Sequence, residues 1–125
     1  MKPLFCLLPF LFVIASKENC HRSKKETATY KGRLEIKGNC MNYTIKVLAG
    51  NIDTSLIDGK WTDEMTGKSY VNVFALGSRC TFPATIQQGD EFLFKIDTAK
   101  VQSCAVCLAY YPTPAKRLSI NVIDK

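Results

Sequence analysis

The sequence predicts an all-β domain, a sandwich or small barrel with little helix and disulfide staples. Three features lead there: strictly alternating runs of strand length, glycine-marked turns between them, and cysteines behind an export leader.

Tyr30-Lys31-Gly32-Arg33-Leu34-Glu35-Ile36-Lys37 alternates without a fault, with Tyr30, Gly32, Leu34 and Ile36 on one side and charged residues on the other. This is the pattern of a half-buried strand. Gly38-Asn39 interrupts it, and Met41-Asn42-Tyr43-Thr44-Ile45-Lys46-Val47 resumes the period with Met41, Tyr43, Ile45 and Val47 facing inward, so the two runs should form an antiparallel hairpin. Ala49 to Lys68 is polar and carries Gly50, Gly59 and Gly67, which predicts a long surface excursion with a short helical turn around Thr62 to Met65. Tyr70 to Leu76 is rich in β-formers and apolar on both faces. Phe92 to Ile96 follows the turn-forming Gly89-Asp90. Val101 to Tyr111 then reads as a long strand through Cys104 and Cys107, stopped by Pro112 and Pro114. Leu118 to Ile123 alternates weakly, as a last strand or a packed helix.

Residues 1–16 read as a signal peptide: Lys2 supplies the positive start, Leu4 to Ile14 the apolar stretch, and Ala15 and Ser16 the small residues at the cleavage point. The apolar stretch is shorter than the roughly 20 residues of a spanning helix, so the product is expected to be secreted, with no membrane span. Residues 17–125, about 110 in number, form a single domain by length. Cys20, Cys40, Cys80, Cys104 and Cys107 remain after the leader and are all disulfide candidates in an oxidising compartment. Five is odd, which leaves one thiol over or an interchain bridge. Cys104 and Cys107, three apart on a predicted strand, face opposite sides and should not bond each other. Nor do they make a zinc knuckle, since a second ligand pair is missing. No metal and no cofactor is expected.

Cleavage removes Lys2 from the 17 Lys and Arg and none of the 11 Asp and Glu, leaving a net charge of +5. The excess gathers at Lys17, Arg22, Lys24, Lys25, Lys31, Arg33 and Lys37. Outside the cell, such a cluster meets sulfated glycan or acidic protein surface, or simply keeps the chain soluble, and nucleic acid is not the expected partner. Catalysis has little basis. His21 is the only histidine and sits in a charged terminal run, unsuited to hold a base in reach of a nucleophile. Asp90-Glu91 reads as turn chemistry. Asn42-Tyr43-Thr44 is a glycosylation sequon, and on the alternation Asn42 points away from the core. Trp61, in the long excursion, either packs back on the sheet or anchors a partner.

Cys80-Thr81-Phe82-Pro83 through Gly89-Asp90-Glu91-Phe92-Leu93-Phe94-Lys95-Ile96, followed by Cys107-Leu108-Ala109-Tyr110-Tyr111-Pro112, resembles the netrin-like module, and most of all the N-terminal domain of tissue inhibitors of metalloproteinases. Gly89, Phe92, Leu93 and Phe94 stand at the positions of that family's glycine-led strand, with Phe where Tyr is usual, and Cys20 corresponds to its leading cysteine. The resemblance implies a closed five-stranded barrel of the oligonucleotide/oligosaccharide-binding type with flanking helices, and a bridge from Cys20 to Cys80 or Cys107. The partner of Cys40 stays open. It further implies a secreted protein that acts by protein–protein contact, with a metalloprotease among the expected partners, through the edge Cys20, His21, Arg22, Lys24 and Lys25. The alternative is a non-inhibitory module that binds matrix glycan or a receptor through the basic segment. Inhibitors of this family chelate zinc with the free amine and carbonyl of a first-residue cysteine in a C-x-C pattern. Here Cys20-His21-Arg22 lacks the second cysteine, and cleavage near Ser16 leaves residues ahead of Cys20.

Overall fold

A computed structural model describes residues 28–99 and 104–125 of the chain. The predicted signal peptide and the edge Cys20 to Lys25 lie outside the described residues.

The fold is all-β, a mostly antiparallel sheet with two disulfides. β1 (Thr29–Lys37) pairs antiparallel with β2 (Tyr43–Ala49) on one edge and with β5 (Glu91–Ile96) on the other. β2 pairs with β4 (Ser69–Leu76), whose far edge is shared: β3 (Asp58–Thr62) lies antiparallel along its first half and β6 (Arg117–Leu118) parallel along its end. β7 (Ile120–Asp124) pairs with β5. Only Ser119 separates β6 from β7, so one stretch of chain pairs first with β4 and then with β5. The joint is well bonded: the Gly77 N–H donates to the Leu118 carbonyl at 2.9 Å, the Asp97 N–H to the Ser119 carbonyl at 2.9 Å, and the Ser78 hydroxyl bridges both backbone groups of Ile120.

The core holds Leu34, Ile45, Phe74, Leu76, Ile86, Phe94 and Ile120, all fully buried, while Val73 is buried outside that cluster. The aromatic rings touch in series, Tyr30 on Phe94, Phe94 on Phe74 and Phe92, and Phe92 on Phe82. Phe82 and Ile86 enter from the connection between β4 and β5 and add to the core from outside the strands.

β1 buries the expected face, Tyr30, Gly32, Leu34 and Ile36. β2 departs from strict alternation: Thr44 and Ile45 are both buried. A register irregularity sets Leu34 opposite Ile45 and Ile36 opposite Thr44, and Thr44 is buried with its neighbours Ile36 and Ala75 outside the core cluster that holds Leu34 and Ile45. The segment expected as a polar excursion with a helical turn carries a short 3-10 turn at Thr54–Leu56, then β3, and a hairpin turn in place of the helical one. Asp63 makes that turn: its carboxylate accepts the Met65 N–H at 2.8 Å, its carbonyl accepts from Gly67 and its N–H donates to Lys68. The last strand over Val101 to Tyr111 is corrected too, since no strand occurs between Cys104 and Tyr111. The tail takes the strand alternative, as β6 beside β4 and β7 beside β5. The flanking helices implied by the resemblance are absent among the described residues, where 3-10 turns alone occur.

Candidate functional site

Four cysteines pair within the described residues, Cys40 with Cys107 and Cys80 with Cys104, at Cα separations of 5.0 and 5.6 Å. Cys80 and Cys107, the expected partners of Cys20, are therefore taken by Cys104 and Cys40. Cys104 and Cys107 do not bond each other, as expected, but the reason is different. They leave a single extended segment toward two separate anchors.

Cys40 is held where its backbone is least comfortable. Cys40 and Met41 both have φ of 57°, in the left-handed region that costs a non-glycine residue about 1 kcal/mol or more. The bridge to Cys107 and the β1–β2 connection hold them there together. Beside them, a Cβ on Gly38 would lie 2.5 Å from the Asn42 carbonyl oxygen and 2.6 Å from the Tyr111 ring, so only glycine lets that ring lie against the turn.

Between these anchors the chain from Cys104 to Pro114 runs without turn or bend. Up to Tyr110 its side chains, Val106 excepted, face solvent: Leu108 is 96% exposed and Tyr110 79%, with Ala105, Cys107 and Ala109 also exposed, whereas Pro112 and Pro114 are buried. Leu108, Ala109 and Tyr110 form one run of exposed apolar side chains, and contiguous exposed apolar surface, not a single exposed residue, is what marks a contact surface. The segment is fixed in backbone as well. The Asn42 amide donates to the Ala109 carbonyl at 3.0 Å, and the Tyr110 hydroxyl donates to the Glu64 carboxylate. That bond raises the Tyr110 phenol above its ordinary pKa, because ionisation would put two anions in contact.

The β3–β4 hairpin lies alongside. Trp61, Thr62, Glu64, Tyr110, Pro112 and Thr113 line an open cleft of about 140 Å³. Trp61 is half-buried and stacks on Tyr70 at 5.7 Å between ring centroids, while the Lys68 ammonium sits 5.2 Å from the Tyr70 ring. Trp61 thus packs on the sheet and also walls the cleft. Met65, 66% exposed, caps the hairpin.

The other sequence-selected residues fall elsewhere. Asp90 accepts the Gln87 N–H at 2.9 Å in a turn and pairs with Lys125, and Glu91 pairs with Lys31, so the acidic pair diverges. Asn42 does not project freely from the hairpin, because its side chain also donates to the Asn39 carbonyl at 2.9 Å and accepts from Arg79 at 3.1 Å. A second cleft, of about 250 Å³ near Val47, Ile52, Ile57 and Asn72, has no titratable side chain in its wall. No group of three His, Cys, Asp or Glu side chains able to hold a metal occurs among the described residues, and no helix among them is long and apolar enough to cross a membrane.

Leu108 and Tyr110 stood in the run that carries the resemblance but were not among the candidate binding residues. Their signal was present in Cys104-x-x-Cys107 followed by Pro112 and Pro114: two closely spaced cysteines that cannot bond each other must tie one stretch of chain to two places. The chain matches no protein-family model, no curated protein and no solved structure.

Proposed function

We propose that this chain is a secreted, disulfide-stapled binding protein of the netrin-like type, acting by protein–protein contact and without catalysis of its own. The observation that carries the reading is the segment Cys104 to Tyr111, an apolar strip held in place by two disulfides with its side chains in water. Ordering such a strip in advance removes the entropy cost that a loose loop would meet on binding. The netrin-like type is supported by the order of pairing, in which β4 and β6 run parallel and β5 pairs with both β7 and β1, as in a barrel of the oligonucleotide/oligosaccharide-binding type.

Metalloprotease inhibition through Cys20 to Lys25 is the specific form of this proposal. It requires an unblocked amine at Cys20, because an amide nitrogen is a poor zinc ligand at neutral pH. Peptide mass spectrometry of the protein secreted from eukaryotic cells, followed by assay against a zinc metalloprotease catalytic domain, tests it. A mature chain starting at Cys20 that inhibits supports the zinc-directed form, and a chain starting upstream that does not inhibit removes it. Glycan binding is the alternative. Lys31 and Arg33 are already paired with Glu91 and Glu35, so that reading rests on Lys17, Arg22, Lys24, Lys25 and Lys37, and retention on heparin near physiological salt decides it.

A further inference from the structure

Ala105 to Tyr110 is extended, all but Val106 is exposed, and its largest aliphatic side chain, Leu108, stands almost wholly in solvent. A serine protease binds its substrate as an extended strand, with one side chain in a primary pocket and the scissile bond just after it. Ordinary surface loops fit this poorly, because they are turns or must be ordered first. Here the strand is held on both sides of one bond. Ahead of Leu108, Cys107 is tied to Cys40. Behind it, the Ala109 carbonyl is held by Asn42, the Tyr110 hydroxyl by Glu64, and Tyr111 lies against Gly38. The chain from Ala109 to Lys125 is further docked by the pairing of β6 with β4 and β7 with β5.

We propose that Ala105 to Tyr110 is a substrate-like loop that occupies and blocks serine proteases with an apolar primary pocket, with the Leu108 side chain in that pocket. The inference rests on reading this segment as a contact surface and names its partner class. The protease serine oxygen attacks the Leu108 carbonyl carbon while its proton passes to the catalytic histidine. Collapse of the adduct breaks the bond between Leu108 and Ala109, and the histidine returns the proton to the Ala109 nitrogen. In an ordinary substrate the amine then leaves and water takes its place. Here Asn42, Tyr111 and the paired β6 and β7 keep the Ala109 amine beside the ester, so it attacks the acyl carbon. The amine proton passes through the histidine to the serine oxygen, the ester bond breaks with the serine as leaving group, and the peptide bond is restored. Pre-ordering gives tight binding, and retention of both halves makes net hydrolysis slow. An apolar slot of the chymotrypsin kind suits leucine, whereas the acidic pocket of trypsin does not.

The test uses the full secreted chain, with both disulfides verified, against chymotrypsin and trypsin with small chromogenic substrates. Competitive inhibition of chymotrypsin and not of trypsin is expected. Leu108→Gly should weaken it about 30-fold or more, as for truncation of a central interface side chain. Leu108→Lys should lose chymotrypsin and gain trypsin inhibition, a gain that misfolding cannot produce. Long incubation should release Ala109–Lys125 on denaturation as the first cleavage fragment, and sooner in Asn42→Ala. No inhibition of chymotrypsin, inhibition indifferent to Leu108, or rapid cleavage after Leu108 with full recovery of enzyme activity would each overturn the proposal. Those failures leave the secreted contact protein to its own test, the mature N-terminus and the metalloprotease assay.

Discussion

The side chain of Asn42 donates to the carbonyl of Ala109 at 3.0 Å, joining residues 67 apart in sequence. With the bonds to Asn39 and from Arg79, one amide ties the β1–β2 turn, the connection after β4 and the exposed segment together. Asn42→Ala leaves the exposed Asn39 and Ala109 carbonyls to water and takes a partner from Arg79, a loss of about 0.5–1.5 kcal/mol. Urea unfolding should show the midpoint falling with an unchanged slope.

The same geometry bears on the sequon. Both amide hydrogens of Asn42 are in use, and a glycan would replace one of them. Thr44, which the transferase must also read, is fully buried, and its hydroxyl finds no hydrogen-bond partner among the described residues. Modification therefore competes with folding of the hairpin. Glycosidase treatment of the secreted protein should shift the mass of a minor fraction only, and Cys107→Ser, which releases Cys40, should enlarge that fraction. Full occupancy in the unaltered protein would show that the Ala109 bond is dispensable.

Gly32 sits under the core aromatic rings. A Cβ there would lie 2.9 Å from Phe94 Cε1 and 3.3 Å from Ile45 Cγ2, and Phe94 is fully buried among Tyr30, Phe74 and Phe92. Gly32→Val overpacks the site and should lower stability by about 1–3 kcal/mol, read from denaturant midpoints. Gly59, with open space around it, provides the matched control, and Gly59→Ala should change little.

What the sequence made legible was what local pattern controls. The alternation of Tyr30 to Ile36 specified both strand and buried face, and Phe92 to Ile96 was legible as a strand. Thr44 was misread because β2 is covered on the Thr44 side as well as the Ile45 side, and nothing in the β2 run alone announces the second cover. β3 was hidden because Asp58 to Thr62 is polar and lies on an edge, where half-exposed residues carry no period; its Thr62 and Ser69 hydroxyls, bonded at 2.8 Å, were the trace of the hairpin. The segment after Cys104 was read as a strand from its apolar content. Its path is set by two bridges whose partners lie 24 and 67 residues away, a constraint that composition does not encode.

Asp90 gives the fold a defined acid limb. Its carboxylate accepts the Gln87 backbone N–H and then pairs with Lys125, and both hold it below the ordinary range. The Asp53 carboxylate, capping the 3-10 turn through Ser55, is lowered in the same way. A folded pKa below the unfolded one means that the unfolded chain takes up the proton first as pH falls. The stabilisation is thus complete well above about pH 4, the ordinary aspartate region, and is lost as pH drops through the folded values. Asp90→Asn should flatten the fall in urea midpoint between about pH 5 and pH 2. Salt separates the causes. A backbone hydrogen bond at contact distance is little screened, whereas the exposed pair with Lys125 is weakened at about 1 M salt. Since the Gln87 N–H is the larger influence, most of the acid slope should survive high salt, and a slope abolished by salt would assign it to Lys125 instead.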